Sequence, residues 1–501
     1  MAELKTVFKD LGRIMIAISV IALPTLLVPL YFGEMYALPP LIITSAIFFL
    51  IGFPLSTIFK NASQTDFKSA MVTAALSWVI IPIVSTIPFL MIGFDKTNPA
   101  LSMDFLSSLF ETMSGWTGTG LTMITRPSLL SYTLQFWRTY MQWIGGVGVI
   151  ILTLAILARP GVGSFILYRS EARDQRTHPS IIKTVRTIWW IFLLFTIIGV
   201  IVLTIIGMVT SDGMNPWQSL NHGMTVIATG GFSVTDDSVM GFGTLTQFIM
   251  VILMILGGIA FIAHYDLLRG KIKKFLSDVQ FQALTIIIIF GVIVVTYINL
   301  NNLNLNYSNN LLLSLKDSGY QFASAITCTG FNSVNIAEWS ESAKFVLSFA
   351  MIVGGAAGST SGGIKLFRAI LLSKGISWRI KRSISSPRRV IVHRFGGKPL
   401  SNEDAMDLIN EAAIISFIWI ILLFVGVIII SNYYPNESLG NIFFEVSSAQ
   451  GNVGLSTGIT NMGMQPVAKT MLILNMWIGR LEIIPVIVLI RSIFNFRKNI
   501  L

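Results

Sequence analysis

Four glycines recur in similar surroundings along the chain and are the residues best suited to handling an ion. Each is followed by a large apolar residue and then by Thr, Ser or Asn. The segments are ETMSGWTGTGLT (111–122), HGMTVIATGGFS (222–233), QFASAITCTGFN (321–332) and EVSSAQGNVGLS (445–456), and the shared glycines are Gly120, Gly231, Gly330 and Gly454. Glycine permits positive φ, so such loops can turn their carbonyl oxygens towards a common axis. Because a ring of carbonyls replaces the hydration shell of a monovalent cation, the pattern predicts a selectivity filter.

Polar side chains precede each shared glycine at fixed distances. A polar residue stands nine positions earlier and a hydroxyl six positions earlier, and two positions three residues apart share one face of a helix. The first set is Glu111, His222, Gln321 and Glu445, and the second is Ser114, Thr225, Ser324 and Ser448. We expect these side chains to brace each loop from behind as scaffold and not to bind the ion.

A second glycine motif follows each shared glycine, and its first glycine stands 24 to 26 residues later. Its copies are WIGGVG (143–148), ILGGIA (255–260), IVGGAA (352–357) and MWIGRL (476–481). A single glycine pair in a membrane helix usually marks a packing surface. Four copies at one spacing instead predict a repeated unit made of an apolar span, a short helix, a glycine-rich loop and a second apolar span.

Composition places the chain among polytopic membrane proteins. It is 53% hydrophobic and 12% charged, with a mean hydropathy of +0.73. Ten apolar runs are near the length of a membrane span. They are 14–33, 39–59, 70–93, 134–158, 187–209, 244–268, 280–299, 343–372, 408–431 and 467–493. We expect the first run to be a retained helix, since it is too long for a signal peptide and lacks a cleavage site.

The net charge of +11 is explained by topology. With a cytoplasmic N-terminus, most Lys and Arg residues fall into inner segments, as the positive-inside rule requires. The sequence thus predicts a multi-pass protein with both termini in the cytoplasm and no nucleic-acid partner. The single cysteine, Cys328, excludes an intrachain disulfide framework and a Cys-rich metal site.

The predicted fold is an all-α polytopic membrane protein with ten transmembrane spans. Four pseudo-symmetric helix–pore loop–helix repeats surround one pore, and an N-terminal two-helix hairpin lies outside them. The expected bounds are 1–60 for the hairpin and 61–175, 176–275, 276–400 and 401–501 for pore repeats 1 to 4.

The segment VGGAAGSTSGG (353–363) interrupts an apolar run in the third repeat and is predicted to form a gate beneath the filter. Irregular backbone at membrane depth is tolerated where it lines a cavity. The candidate gate residues are Gly354, Gly355, Gly358, Ser359, Thr360, Ser361, Gly362 and Gly363.

Arg480 is the other candidate gate residue, because it occupies the second glycine position of the fourth repeat. A charge inside a span is costly and suggests a functional site. We expect Arg480 to contact the loop 354–363, to stabilise its closed form and to add an electrostatic barrier. The alternative is a structural role in which Arg480 pairs with Glu482 or with backbone carbonyls.

These residues carry a family resemblance. The quartet GTGL, TGGF, CTGF and NVGL, with GGAAGSTSGGIK after the third, resembles the Trk/Ktr/HKT potassium-transporter superfamily. LYRSEA (167–172), WRTYMQWIGG (137–146) and the N-terminal hairpin are most similar to its Trk-type membrane subunit, TrkH. The resemblance covers essentially the whole chain.

The resemblance implies potassium uptake across the plasma (inner) membrane through a filter formed by four triplets. The implied K⁺-binding residues are Gly118, Thr119 and Gly120; Thr229, Gly230 and Gly231; Cys328, Thr329 and Gly330; and Asn452, Val453 and Gly454. Gly120 favours K⁺ over Na⁺ in this family. Gly118 and Cys328 depart from its usual pattern, although both contribute mainly backbone carbonyls.

The resemblance also implies a homodimer, a cytoplasmic nucleotide-binding regulator of the TrkA type, and no cofactor apart from K⁺ as the transported ion. The basic loops 159–186 and 374–398 are candidate docking surfaces for the regulator, or contacts for anionic membrane lipids.

Two other classes of function compete with potassium uptake. A Na⁺ or ammonium conductor, or a cation–H⁺ symporter, stays within transport, and proton coupling would need a titratable group on the path, such as Glu111, His222, Glu445 or Glu482. An intramembrane enzyme is not favoured, because the chain lacks HExxH and GxSxG and has only four scattered histidines.

Overall fold

The computed structural model describes residues 2–93, 103–157, 181–302, 307, 310–386, 392–396 and 398–498. Within this part the chain is mostly helical, with a single two-stranded hairpin. LYRSEA, most of the basic loop 159–186 and the boundary expected at 175–176 lie outside the described residues.

The N-terminal segment forms a pair of long helices. Helix α1 (Ala2–Ala22) continues through a 3₁₀ turn (Leu23–Leu26) into α2 (Leu27–Phe32), and a second 3₁₀ turn (Met35–Ala37) leads into α3 (Leu38–Ile58). The two long helices cross at Gly12 and Gly52, where an added Cβ on Gly52 would lie 2.7 Å from the Gly12 carbonyl oxygen. Only glycine therefore permits this close approach.

The rest of the chain contains four sets of helices. The first has α4 (Phe67–Ser85), α5 (Ile87–Met91), α6 (Phe105–Thr117) and α7 (Tyr132–Leu157). The second has α8 (Ile181–Val209), α9 (Pro216–Ile227), α10 (Thr244–Gly258), α11 (Phe261–Leu268) and α12 (Ile272–Leu276). The third has α13 (Val279–Leu300), α14 (Leu311–Ile326), α15 (Glu341–Val353) and α16 (Leu366–Ile384). The fourth has α17 (Asn402–Tyr433), α18 (Leu439–Gly451), α19 (Pro466–Arg480) and α20 (Ile484–Lys498).

Four short elements complete the described chain. Two further 3₁₀ turns cover Pro127–Leu129 and Ile336–Glu338. Strands β1 (His393–Phe395) and β2 (Lys398–Leu400) pair antiparallel between the third and fourth sets, with His393 opposite Leu400.

Six described helices are long and apolar enough to cross a membrane, or up to eight if each of two bent pairs is one span. The chain is therefore a multi-pass membrane protein, and the count of ten spans stays a prediction. The predicted runs 244–268 and 467–493 are not straight helices, since they bend by 106° and 109°. The bends follow Gly257–Gly258 and Gly479–Arg480, the second glycine motif of their sets.

One short helix in each set (α6, α9, α14 and α18) is only 12 to 16 residues long and is enclosed by the others. Each begins at a side chain that accepts a hydrogen bond from a backbone amide of its first turn, namely Asp104, Asn215, Asn310 and Ser438. Such caps fix where a helix starts. The glycine-rich loops follow directly at the C-terminal ends.

In the first, second and fourth sets the second glycine motif packs against the end of the short helix, whereas Gly354 of the third set contacts Gly362 within its own loop. An added Cβ on Gly145 would lie 2.1 Å from the Trp116 carbonyl oxygen, and one on Gly479 would lie 1.9 Å from that of Gln450. An added Cβ on Gly257 would lie 2.8 Å from the Ile227 carbonyl oxygen. The constant spacing between the two motifs thus reflects a close contact in which a side chain would clash.

Candidate functional site

The loops that follow the four short helices share one backbone conformation. Each has positive φ at two positions that are two residues apart, and the second is a shared glycine. The pairs are Gly118 and Gly120, Thr229 and Gly231, Cys328 and Gly330, and Asn452 and Gly454, with φ between 48° and 101°. Positive φ strains a residue that has a side chain by about 1–3 kcal/mol, so the surroundings must impose it. We call the stretches 118–120, 229–231, 328–330 and 452–454 the ring loops.

Hydrogen bonds from each short helix hold its ring loop. The amide of the middle residue donates to the carbonyl of the Ser or Thr five positions earlier, at 2.8–2.9 Å in all four loops. The amides of Gly120, Gly330 and Gly454 also donate to the serine hydroxyls six positions earlier, each at 3.0 Å. In the second loop the Thr225 hydroxyl donates instead to the Phe232 carbonyl, at 3.1 Å.

The four ring loops touch one another in a closed circle. An added Cβ on Gly120 would lie 2.3 Å from the Gly230 carbonyl oxygen, and one on Gly231 would lie 2.3 Å from that of Thr329. An added Cβ on Gly330 would likewise lie 1.9 Å from the Val453 carbonyl oxygen, and one on Gly454 would lie 2.4 Å from that of Thr119. A side chain at any of the four glycines would therefore push two loops apart.

A cavity of about 280 Å³ lies over the ring, and all four shared glycines contribute to its lining. Its walls carry hydroxyl and charged groups as well, including Thr122, Ser456, Asp236 and Arg138. The Asp236 carboxylate accepts bonds from the amide and the hydroxyl of Ser128, which ties the second loop region to the first. Polar walls of this kind suit a hydrated cation.

Most carbonyl oxygens of the ring loops have no hydrogen-bond donor. The Gly230 carbonyl accepts a bond from the Gln142 side chain at 2.5 Å, whereas the others accept none from the described part of the chain. Buried carbonyls are normally paired with a donor or with a substitute such as water or an ion. The ring loops can therefore offer oxygen ligands to a dehydrated cation.

Glu111 braces the first ring loop from behind. Its carboxylate accepts bonds from the Thr122 hydroxyl and the Met123 amide and forms an ion pair with Arg138 at 2.7 Å. Arg138 also donates to the Ser233 carbonyl, and its guanidinium lies 4.2 Å from the centre of the Phe232 ring. Both charged side chains are buried, so each depends on the other.

The equivalent residues contact the other three loops. Glu445 accepts bonds from the hydroxyls of Ser456 and Thr460 and from the Thr457 amide, all of them neutral donors. His222 contacts the Ser233 hydroxyl at 3.0 Å, and Gln321 donates to that of Ser333 at 3.2 Å. All these contacts lie just beyond the shared glycines, which fits the expected role as scaffold.

The loop 354–363 lies against the ends of two short helices and against the second ring loop. The Thr360 hydroxyl donates to the carbonyls of Ile227 and Gly257, each at 3.1 Å, and accepts a bond from the Thr229 hydroxyl at 3.0 Å. An added Cβ on Gly362 would lie 2.0 Å from the Gly451 carbonyl oxygen. The loop thus touches the second and fourth short helices at their ends.

Arg480 joins this loop to the first set of helices. Its guanidinium donates to the Thr360 carbonyl at 2.8 Å and to the Gly145 carbonyl at 3.1 Å. The expected contact between Arg480 and the loop 354–363 is confirmed. The guanidinium also fills the space beside Gly118, where an added Cβ would lie 3.7 Å from it.

Arg480 does not form an ion pair with Glu482, which was the alternative. Glu482 forms its ion pair with Arg368, near the start of α16. Glu482 and Ile483 have φ of 57° and 72°, so the chain turns sharply directly after Arg480. Backbone carbonyls, the other alternative, are the partners that Arg480 does contact, and they include one in the predicted gate.

A family model decides the identity of the chain. The model named TrkH, described as a cation transport protein, matches residues 41–498. The chain belongs to the TrkH family. The resemblance deduced from the glycine motifs is thereby confirmed, and because TrkH proteins are ion transporters, an enzymatic function is excluded.

Individual TrkH-family proteins align along most of the chain. An uncharacterized cation transporter from Methanocaldococcus jannaschii is 32% identical and covers 98% of this chain and 96% of its own. The Trk system potassium uptake protein TrkH of Escherichia coli is 28% identical over 87% of both chains. The crystal structure of the potassium transporter TrkH from Vibrio parahaemolyticus shares the fold, with a TM-score of 0.80 over 97% of this chain and 98% of that one, at 24% identity.

Several side chains of this TrkH-family site were not singled out from the sequence. Gln142 bonds both to the Gly230 carbonyl and to the Phe232 amide. Another set stands ten residues before the first glycine of the second motif. Gln135, Gln247 and Lys469 donate to loop carbonyls, and Lys344 donates to the Asn441 side chain at the start of α18. Their constant spacing could have identified them from the sequence. The repeat is hard to recognise because two copies have Gln and the other two have Lys.

We predict that Glu111→Gln destabilises the protein strongly. The change leaves the buried Arg138 without its counter-charge, which typically costs about 3–5 kcal/mol. Thermal unfolding in detergent, followed by intrinsic fluorescence, should give a lower midpoint for Glu111→Gln than for the double variant Glu111→Gln/Arg138→Gln. The exposed Glu437→Gln serves as the control. Equal midpoints for the single and double variants would refute the pairing.

Proposed function

We propose that this chain mediates potassium uptake across the plasma (inner) membrane, through a pore along the axis of the ring loops. The observation that carries the proposal is the closed circle of four glycines beneath a polar cavity. The name of the E. coli relative, a potassium uptake protein, supports K⁺ as the ion. We further propose ten spans, with both termini in the cytoplasm.

The pore is formed by four pseudo-symmetric repeats, one from each set of helices. The shared φ pattern and the matching hydrogen bonds of the four ring loops support this arrangement. Each short helix ends at the ring, so the negative ends of four helix dipoles converge on a passing cation. Backbone oxygens of the ring loops then replace its water, and no cofactor is involved.

Direct conduction is favoured over proton coupling. A coupled path needs a titratable group that exchanges protons with the ion route, but Glu111 and Glu445 are buried and fully engaged behind their loops. Both ring nitrogens of the buried His222 are bonded as well, to the Gln218 carbonyl and the Ser233 hydroxyl. Glu482 is held by Arg368. No described carboxylate of this set is therefore free to carry protons.

Two partners follow from the family. We propose a homodimer with one pore per protomer, and a cytoplasmic nucleotide-binding regulator of the TrkA type. The E. coli relative is named a Trk system protein, which supports the regulator. The basic segments 159–186 and 374–398 are the proposed docking surface. The second is not a loop throughout, because it starts within helix α16, where Lys381 is exposed, and it includes the exposed Arg394 of β1.

Complementation tests the proposed function directly. An uptake-deficient host should grow at low external K⁺ when it carries this chain with a TrkA-type regulator, and added Na⁺ should not compete. The Gly330→Leu variant is the control, since its side chain would separate two ring loops. Failure of the wild-type protein to restore growth, or inhibition by Na⁺ at equal concentration, would contradict K⁺-selective uptake.

Gly120→Ser should shift the permeability of the pore towards Na⁺. The added Cβ would lie 2.3 Å from the Gly230 carbonyl oxygen, so the ring must open and its oxygens must move. Reversal potentials in planar bilayers measure the change. Gly458→Ser is the matched control, because Gly458 also has positive φ but has open space around its Cα. An unchanged reversal potential in Gly120→Ser would argue against the filter assignment.

Arg480→Ala should increase the passive flux of ⁸⁶Rb⁺ into proteoliposomes. The variant loses the bond to Thr360 and the positive charge beneath the ring. An increase on the order of tenfold corresponds to about 1.4 kcal/mol of lost preference for the closed state. Shortening the loop 354–363 should act in the same direction. Arg491→Ala, at an exposed position, is the control. Wild-type flux from well-folded Arg480→Ala and from the well-folded protein with the shortened loop would exclude the gating role.

A further inference from the structure

A large, mostly apolar cavity lies away from the ring, between α16, the β-hairpin and the start of α17. Its volume is about 980 Å³, at the upper end of the range for small-molecule sites. Its buried part is lined by Leu372, Ile409 and the ring of Trp378, and its open side is lined by the exposed Ile376 and Ile380. Nothing in the transport pathway described above uses this space.

One edge of the cavity is polar and positively charged. Arg379 and Arg382 lie there with one acid, Glu403. His393 lies there as well and is only 5% exposed. Its Nε2 contacts the Asn402 side chain at 2.7 Å, while its Nδ1 has no partner among the described residues. A buried polar atom without a partner costs about 1–3 kcal/mol, so this edge can accept a further polar group.

Helix α16 has the character of a helix that lies at a membrane surface. Ile376, Ile380 and Ile384 repeat every four residues and are 65%, 56% and 80% exposed. Exposed basic residues, among them Arg379 and Arg382, alternate with them. Apolar and basic groups exposed together on one helix are typical of binding to an anionic lipid surface.

We propose that the cavity binds an anionic phospholipid of the cytoplasmic leaflet. An acyl chain occupies the aliphatic interior, and the phosphate contacts Arg379 and Arg382. Basic pockets on the cytoplasmic side of membrane proteins bind anionic headgroups by this chemistry. The choice of leaflet rests on the proposed topology, whereas the binding chemistry rests on the cavity alone.

Other occupants explain less of the cavity. A symmetric second copy would bring the same basic edge against itself, which like charges oppose. A soluble regulator could contact the arginines but would leave the aliphatic interior unfilled. A phospholipid matches both the apolar interior and the charged edge.

Quenching by brominated lipid tests the site in the detergent-purified full chain. Phosphatidylglycerol brominated on its acyl chains should quench a component of tryptophan fluorescence that is absent from Trp378→Phe. Arg379→Gln/Arg382→Gln should raise the half-saturating concentration on the order of thirtyfold, from about 1 kcal/mol per basic residue. The matched control is Lys374→Gln/Lys381→Gln, which removes the same charge from the same helix outside the cavity lining.

The proposal is overturned if the arginine and lysine pairs behave alike, or if brominated phosphatidylcholine quenches equally well. Native mass spectrometry of the wild-type protein with equimolar phosphatidylglycerol and phosphatidylcholine needs no variant. Selective retention of phosphatidylglycerol supports the site, and equal retention overturns it. If Trp378→Phe changes the oligomeric mass of the protein whether or not lipid is present, the cavity is a protein interface and the proposal is overturned. None of these measurements depends on ion flux, so they stand apart from the test of potassium uptake.

Discussion

The close backbone contact between four glycines is the constraint on which the rest of the structure depends. Each of Gly120, Gly231, Gly330 and Gly454 lies so near the next loop that a Cβ would clash with a carbonyl oxygen. Loops this close cannot be separated by side chains, so they must be held from outside. The serine and threonine bonds, the buried carboxylates and the capped short helices all supply that support, because strained backbone persists only where its surroundings fix it.

The same constraint extends to the helices around the ring. Gly145, Gly257 and Gly479 bring these helices against the ends of the short helices. The symmetry breaks where the fourth set has Arg480 in place of a second glycine. Its guanidinium is accommodated because Gly118 has no side chain, while the equivalent Thr229 bonds to Thr360 instead. Gly118, where the other ring loops have a side chain, and Arg480, where the other three sets have glycine, thus contact each other.

The sequence was sufficient for the features that repeat. Equal spacing located the ring loops, the bracing residues and the interruption at 354–363, because the same close contact recurs in three of the four sets. The bends after Gly258 and Arg480 were missed, since hydropathy continues unbroken through them. Glu482 looked like a natural partner for Arg480 two residues away. The positive φ at Glu482 turns the chain there, and the carboxylate pairs with Arg368 instead.

The cavity at α16 and the loop beneath the ring belong to one continuous stretch of chain. Helix α16 begins at Leu366, whose amide donates to the Gly355 carbonyl inside the loop. One residue earlier, the Lys365 ammonium donates to the Ser361 carbonyl, and Arg368 pairs with Glu482 at the bend after Arg480. A shift of α16 along its axis would have to break these three contacts together. Since all three contacts involve the loop or Glu482, two residues after Arg480, they tie the loop to the helix that carries the cavity.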